Sequence, residues 1–593
     1  MAKDSPGSPF TLEDIKRDYD ALRRDFKKRD RLFDLYENLY FLEHYTDNPE
    51  EEEGEHQVTL PIYTNHINMA LSMVTQKPPL INIIYDDTSK ADAKRKGQTE
   101  KFLYAARYMN NTIAGRNFFY DQTFNLFLFG WGVTRTLWDP DIDERNKETD
   151  DEDERELPLI WQSINPKHIY CRPGGPRGGW RTVMFALNRP VTEIESEMGV
   201  KVKFPLVRDN RGRFARKPED PTEVLFIDYW TWWGRDIYHA IIAGEEFIKH
   251  PTKMPEYTFI PYTIAFCIPT PPGPYPERWG LSFLFALRDS TEDLERAMSR
   301  LLRVIGMYGD PTMVTESEQP GNIDIDKRIG SVIDIKTGEK VYYLHSQGSP
   351  PDLLRAIEFF RGQVQESGFP SVSLGMGVAG ASGYATNLLQ EGGRVKIEVP
   401  VQNLQLAWQA DNEKMLRLFY TFSRDEKLVM SGPFKTGKYE RISIKGSDVK
   451  GLWHNEVVIE PKFVLDERRD MDIGVTGVRE GFWSKRYAQE KYGHIEDPEL
   501  EAERMRDEAV ENDPRIREAA VTRRLIREGM LDPEQDMTQQ GGNGSGAKRP
   551  PGRPEELDVG LRGPIPRDEY TDMLPQEAEM PMEMRMPLEP REA

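Results

Sequence analysis

Residues 281–306, LSFLFALRDSTEDLERAMSRLLRVIG, set Leu284, Leu287, Thr291, Leu294, Met298, Leu301 and Ile305 at steps of three and four. That spacing lines one face of an α-helix. The segments after this helix come in an uncommon order. Residues 307–349 contain GSVIDIKTGEKVYYL, two β-rich runs around Thr337-Gly338, which predicts a hairpin. PDLLRAIEFFRGQVQES (351–367) predicts a second helix, with Pro351 and Asp352 suited to its first turn. GFPSVSLGMGVAGASG (368–383) is too rich in glycine to hold regular structure. A long helix is predicted from Tyr384, with Val401, Leu404, Trp408, Met415, Leu418 and Phe422 on one face. Pro400 is expected to kink or restart it.

Working outward, Thr11 to Leu42 reads as one amphipathic helix. Thr11 and Asp14 form a capping pair, and Leu12, Ile15, Tyr19, Leu22, Phe26, Phe33, Tyr36 and Tyr40 form its stripe. Its basic cluster, Arg23, Arg24, Lys27, Lys28 and Arg29, has two readings: a DNA contact, or a solvated helix face with acids interleaved. Residues 58–85 predict strand, helix, a turn at Lys77-Pro78-Pro79, and strand. Residues 90–129 predict helix, running into a strand that Asp139-Pro140 ends. Residues 150–156 read as a charged loop tip. Short strands follow around Asn165-Pro166 and Pro173-Gly174-Gly175, then a short helix. Alternating strands with Tyr229, Trp230, Trp232 and Trp233 come next, and these aromatics read as sheet core rather than a base-stacking platform. After the long helix, YERISIKG and NEVVIEPKF predict strands that return to the sheet of the first domain. Residues 474–527 read as charged helix, and the composition beyond Leu531 is that of a disordered tail.

At 593 residues the chain has room for two to four domains, and 38% hydrophobic residues suffice for globular cores. Asp plus Glu outnumber Lys plus Arg by 100 to 79, giving a net charge of −21. Such a balance argues against tight sequence-independent binding of nucleic acid, yet suits a protein that nucleic acid slides past. Cys171 and Cys267 stand far apart and suggest a reducing, intracellular origin. The N-terminus lacks the apolar core of a signal peptide, and the most hydrophobic run, FNLFLFGWGV, is about half a membrane span. The expectation is a soluble protein that is not secreted.

Motifs for chemistry are thin. Gly432, Gly437 and Lys438 match P-loop spacing, but Tyr439 stands where a Ser or Thr must reach magnesium, and a strand pattern comes after it. Gly375, Gly377 and Gly380 spell GxGxxG without a βαβ unit around them. There is no HExxH, no GxSxG, and no histidine–cysteine pair at ligand spacing. No catalytic residue, cofactor or metal is expected, and the chain does not read as an enzyme.

The order of segments, with several of the segments themselves, resembles the portal proteins of tailed bacteriophages. NHINMALSMVTQKPPLINI looks like the family's early helix, proline turn and strand. FGWGVTRTLWDP with INPKHIY resembles its strand pair, and WGLSFLFALRDSTEDLERAMSRLLRVI its first stem helix. ASGYATNLLQ resembles the start of its tunnel helix, and FWSKRYAQEKYGHIEDPELEAERMRDE its crown segment. The likeness covers most of residues 10–530; the acidic insert at 141–156 and the tail after 530 have no counterpart.

The resemblance implies a multidomain α+β fold and a dodecameric ring at a capsid vertex of the virion. Residues 1–275 would form the wing, 276–306 and 351–370 the stem helices, and 307–350 the clip. Residues 371–383 would form the tunnel loop, 384–425 the tunnel helix, 426–473 strands returning to the wing, 474–530 the crown, and 531–593 a tail. Double-stranded DNA would pass Leu374, Gly375, Met376, Gly377, Val378, Ala379, Gly380, Ala381, Ser382 and Gly383, a stretch without a charged side chain. The terminase large subunit, and later tail adaptor proteins, would dock around Asp324, Asp326, Lys327, Arg328, Lys336, Thr337, Gly338, Glu339 and Lys340. Capsid and scaffold proteins are further implied partners; a membrane is not. The alternatives are a structural head or tail adaptor without a channel and, third, a nucleotide-dependent packaging enzyme.

Overall fold

The computed structural model describes residues 9–44, 57–85, 90–149, 155–202, 207–208, 214–215, 223–271, 273–309, 313–316, 340–343, 351–369, 383–434, 439–461, 466–491, 501–502 and 504–506. Two compact units divide the chain, Met1–Glu501 and Ala502–Ala593, and helices α1 to α11 and strands β1 to β18 all lie in the first.

Helix α1 (Leu12–Tyr40) opens with the expected capping box: the Thr11 hydroxyl accepts from the Asp14 amide at 3.2 Å, and the Asp14 carboxylate accepts from the Thr11 amide at 3.2 Å. Such a cap is worth about 1 kcal/mol. Ile15, Tyr19, Leu22, Phe26, Phe33, Tyr36 and Leu39 are buried along its whole length. Helix α2 (Ile62–Thr75), strand β1 (Leu80–Ile83), α3 (Lys90–Ala114) and α4 (Phe118–Phe129) come next. Asn117 caps α4, and Gly130 ends it at φ 81°. A Cβ on Gly130 would lie 2.5 Å from the Gly280 carbonyl oxygen, so only glycine lets the chain turn from helix into strand there.

Strand β2 (Trp131–Trp138) leads into α5 (Pro140–Glu148), then β3 (Leu159–Ile164), β4 (Ile169–Pro173), β5 (Trp180–Pro190) and α6 (Val191–Met198). A two-residue bridge, β6 (Val207–Arg208) with β7 (Phe214–Ala215), precedes β8 (Glu223–Trp233), β9 (Asp236–Ala243), β10 (Glu246–Lys253) and β11 (Tyr262–Phe266). A second bridge joins β12 (Ile268–Pro269) to β13 (Gly280–Leu281). Two antiparallel sheets result: β10-β9-β8-β5-β4 and β11-β2-β3. Trp230 and Tyr229 are buried in the first, as expected of sheet core, whereas Trp233 is half exposed.

Beyond the sheets come α7 (Arg288–Gly309), β14 (Met313–Glu316) paired antiparallel with β15 (Lys340–Tyr343), α8 (Pro351–Ser367) and α9 (Gly383–Phe422). Helix α9 lies across β2 and β11. A hairpin of β16 (Lys427–Pro433) and β17 (Tyr439–Lys445) packs on α3, and β18 (Asn455–Val458) pairs with β1. Helices α10 (Asp466–Arg479) and α11 (Lys485–Lys491) complete the set. The fold is mixed α+β, and no helix of the described residues is long and apolar enough to cross a membrane.

Several expectations are corrected. The first long helix starts at Arg288, not Leu281, because the Ser282 hydroxyl donates to the Leu128 carbonyl at 2.7 Å and accepts from the Leu284 amide at 3.1 Å. The Phe283 amide donates to the Phe127 carbonyl at 3.0 Å, so backbone that a helix would use is bound to the end of α4. Residues 58–60 are not a strand: the Val58 amide donates to Ser299 Oγ and the Leu60 amide to Glu295 Oε1, both on α7. Helix α5 occupies ground expected to be charged insert, with Asp139 accepting from the amides of Asp141 and Ile142. Of the kink or restart expected at Pro400, the restart is overturned: α9 runs through it as one helix. Of the strands expected to return to the first domain, NEVV does so by pairing with β1, whereas YERISIKG pairs with β16 instead. The expected partner of β15 across Thr337-Gly338 lies outside the described residues.

Candidate functional site

The site predicted from sequence is the glycine-rich loop together with the clip residues between Asp324 and Lys340. Of its residues, Gly383 opens α9 and Lys340 opens β15, opposite Glu316. Positions 374–382, Asp324, Asp326, Lys327, Arg328, Lys336, Thr337, Gly338 and Glu339 lie outside the described residues. What the structure describes is how the frame around them, helices α7, α8 and α9, is fastened.

Helices α7 and α8 pack side by side, and each is anchored at one end. On α7, Thr291 and Leu294 are buried, whereas Leu302 is 44% and Ile305 55% exposed. On α8, Val364 is buried near the end of the helix, whereas Leu354 is 50% and Phe359 61% exposed near its start. The chain therefore leaves the body along α7 and returns along α8.

Glu295, 2% exposed, is the main anchor of α7. Its carboxylate takes the Leu60 amide at 2.8 Å and His44 Nδ1 at 2.8 Å. His44 Nε2 faces the Leu39 carbonyl at 3.0 Å. Both ring nitrogens thus face acceptors, which an imidazolium satisfies with two N–H donors. Burial pulls the His44 pKa down, but the hydrogen bonds to Glu295 and Leu39 outweigh it and leave the pKa raised. Tyr63 adds a hydrogen bond from its hydroxyl to the Arg288 carbonyl at 2.9 Å.

The return from α8 is fixed more tightly. Phe369 is buried, stacked on the His66 ring at 5.8 Å and set against Phe283 at 5.4 Å. Burial holds the His66 pKa below its ordinary value, and Nδ1 donates to the Ile62 carbonyl at 2.7 Å. A Cβ on Gly368 would sit 2.0 Å from His66 Nε2. From α9, Lys396 donates to the Glu366 carbonyl at 2.6 Å and to the Gly368 carbonyl, so an ammonium neutralises the negative end of α8. The chain on both sides of the loop is thereby tied at one point.

Further along α9 lies a buried polar cluster that sequence reading did not find. Asp411 accepts from Thr134 Oγ1 at 2.6 Å, from Trp161 Nε1 at 3.0 Å and from the Thr263 hydroxyl. Lys414 donates to the Tyr262 carbonyl at 2.8 Å and to Thr263 Oγ1 at 2.7 Å, and burial lowers its pKa to about 8. Arg107 lies between the rings of Trp408 and Trp161, at 3.7 and 4.1 Å, and donates to Asn412 at 2.6 Å. Tyr262 links this cluster to a second one, its hydroxyl donating to Asp228 at 2.7 Å; His239 Nε2 is 2.8 Å from the same carboxylate. Both clusters are enclosed by strands and α9, and what they do chemically is hold those elements together. Their signal in sequence is polar residues inside apolar patterns, Asp411 and Lys414 in the helix α9 and Asp228 and His239 in the strands β8 and β9.

No family model and no curated protein matches the chain. Among solved structures, it is similar to a chain in the neck of an empty gene transfer agent particle, at 12% identity and a TM-score of 0.38. It is also similar to a chain in the virion of a native gene transfer agent particle, at 12% identity and a TM-score of 0.39. Each likeness covers 73% of this chain and 90% of the other. Neither is strong enough to carry a function.

Among the described residues no group of three or more His, Cys, Asp or Glu is placed to hold a metal. Cys171 and Cys267 are free, buried thiols whose pKa burial raises. The P-loop spacing falls on a strand pair: Gly432 lies in β16, and β17 begins at Tyr439.

Proposed function

We propose that the chain is a portal-type subunit of a phage-like particle: one copy in a ring through which double-stranded DNA passes during packaging and ejection. The observation that carries this reading is the fastened frame, in which α7 leaves the body, α8 returns, and Lys396 ties the return to α9 on the far side of the glycine-rich loop. Such a frame holds a loop at a set place while leaving its interior free of charged side chains. Loose contact of that kind suits a duplex that has to move, because phosphate contacts act as a brake.

The half-covered faces of α7 and α8 support the ring. Covering Leu302, Ile305, Leu354 and Phe359 with a neighbour is worth roughly 1 kcal/mol each. Twelve subunits at −21 would carry about −250, and apolar contacts of this kind oppose that repulsion. In this reading residues 307–350 receive the terminase large subunit and tail adaptors, capsid and scaffold proteins surround the ring, and the chain performs no chemical step. Native mass spectrometry of the purified protein with single-particle imaging tests it. A closed ring with a central hole is expected, and a compact small oligomer without a hole overturns it. In a packaging assay, Gly377→Pro with Gly380→Pro should impair DNA uptake without blocking ring assembly; unchanged uptake removes the loop from the reading.

A further inference from the structure

The exposed face of α1 carries Arg23, Arg24, Lys27, Lys28 and Arg31. This set differs from the cluster read in sequence. Arg29 is 1% exposed and turned inward, donating to the Ile169 carbonyl at 2.6 Å with its guanidinium over Phe26 and Phe33. Arg31 continues the strip instead. Spacings of i, i+1, i+4, i+5 and i+8 lay the five cations along one strip about 12 Å long.

None of the five is in an ion pair with another described residue, although the chain holds 100 acids against 79 basic residues. Arg24 Nε donates to the Asp20 carbonyl at 3.2 Å, and the flanking carboxylates of Asp20 and Asp25 are exposed without pairing to the strip. Three other cations on or against α1 are matched, Arg17 by Asp14, Arg172 by Asp18, and Lys167 by Asp34 and Glu37, whereas Lys16, ahead of the strip, has no ion pair with another described residue. Five exposed cations gathered on one helix face, none paired with a described acid, leave a strip of charge open to an outside polyanion.

Two partners have that charge, a nucleic-acid backbone and an acidic protein face. Protein interfaces centre on apolar side chains. From Arg23 to Arg31 this face of α1 exposes no large apolar side chain, and Leu35, one turn beyond, is 38% exposed at its end. Phosphates need none, since Lys and Arg hold them by charge and hydrogen bonding. The net charge of −21 does not forbid this, because charges beyond about 8 Å are screened at physiological salt. We propose that the exposed face of α1 is a sequence-independent contact surface for the phosphate backbone of double-stranded nucleic acid. The surface lies outside the α7–α8–α9 frame and does not depend on the ring.

Fluorescence anisotropy of the full-length protein with a labelled mixed-sequence duplex of ~30 base pairs tests it, between about 50 and 200 mM salt. Five phosphate contacts predict a log K against log salt slope near −4.5, a loss of ~500-fold over that range. Arg24→Gln, Lys27→Gln, Lys28→Gln and Arg31→Gln combined should flatten the slope to about −1 with an unchanged circular dichroism spectrum. Absence of binding at the lowest salt overturns the proposal, as does a slope that the four changes leave intact. So does a variant that alters self-association but not duplex binding, which would assign the strip to an acidic face of a second copy.

Discussion

Helices α1 and α7 have the same kind of amphipathic stripe but end differently. The stripe of α1 is buried from Ile15 to Leu39 against β4, α2, α4 and the turn at Pro276–Arg278. The stripe of α7 is covered at Thr291 and Leu294 and open at Leu302 and Ile305. One helix is finished within its own chain; the other is finished only when something else covers it. Periodicity alone does not tell the two apart, since it reports which face is apolar and not what lies opposite.

The largest test of this contrast lies in the finished part. Asp411→Ala leaves three buried donors without their acceptor beside Lys414, and should cost about 3–5 kcal/mol in urea unfolding. A loss under about 1 kcal/mol would break the distinction between body and frame. Gly368→Ala pushes a methyl into His66 and should cost about 1–3 kcal/mol, a loss that shrinks when His66 is also cut to alanine.

His44 gives a smaller effect with a definite sign. Its folded pKa is raised above the ordinary 6.5, so its contribution is complete below about that pH and is lost as pH climbs through the folded value. Unfolding free energy measured against pH should show that decline in the native protein and not in His44→Gln. On the open faces, Leu354→Ser with Phe359→Ser should change single-chain stability by no more than about 0.5 kcal/mol. The same pair should weaken self-association in sedimentation. Unchanged association would mean that these faces are not where copies meet.

Much of the body was legible because its signals are local. The capping box of α1, the stripe of α9 and the apolar runs of β8 and β9 each arise from residues a few positions apart, although β8 is buried on both faces from Phe226 to Thr231 and does not alternate there. What failed depends on distant partners. Ser282 delays α7 because it bonds to α4, and residues 58–60 avoid a strand because acceptors on α7 take their amides. At Arg29 the neighbours in sequence are basic, but the neighbours in space are Phe26, Phe33, Trp131 and Tyr170. Around the candidate site the order of helices α7, α8 and α9 was legible, while their fastenings at His66, Glu295 and Lys396 were not. Nothing near those residues in sequence names their partners.

The tie between Lys396 and the end of α8 also works as a mechanical fuse. It holds the two roots of residues 369–395 together, so a pull applied within that stretch is shared between the tie and the buried ring of Phe369. The part of α9 before Lys396 spans about 20 Å as helix, and each residue that leaves the helix lengthens the chain by about 2 Å. The stretch thus has reach in reserve that costs a few helical hydrogen bonds, spent ahead of Asp411 along α9.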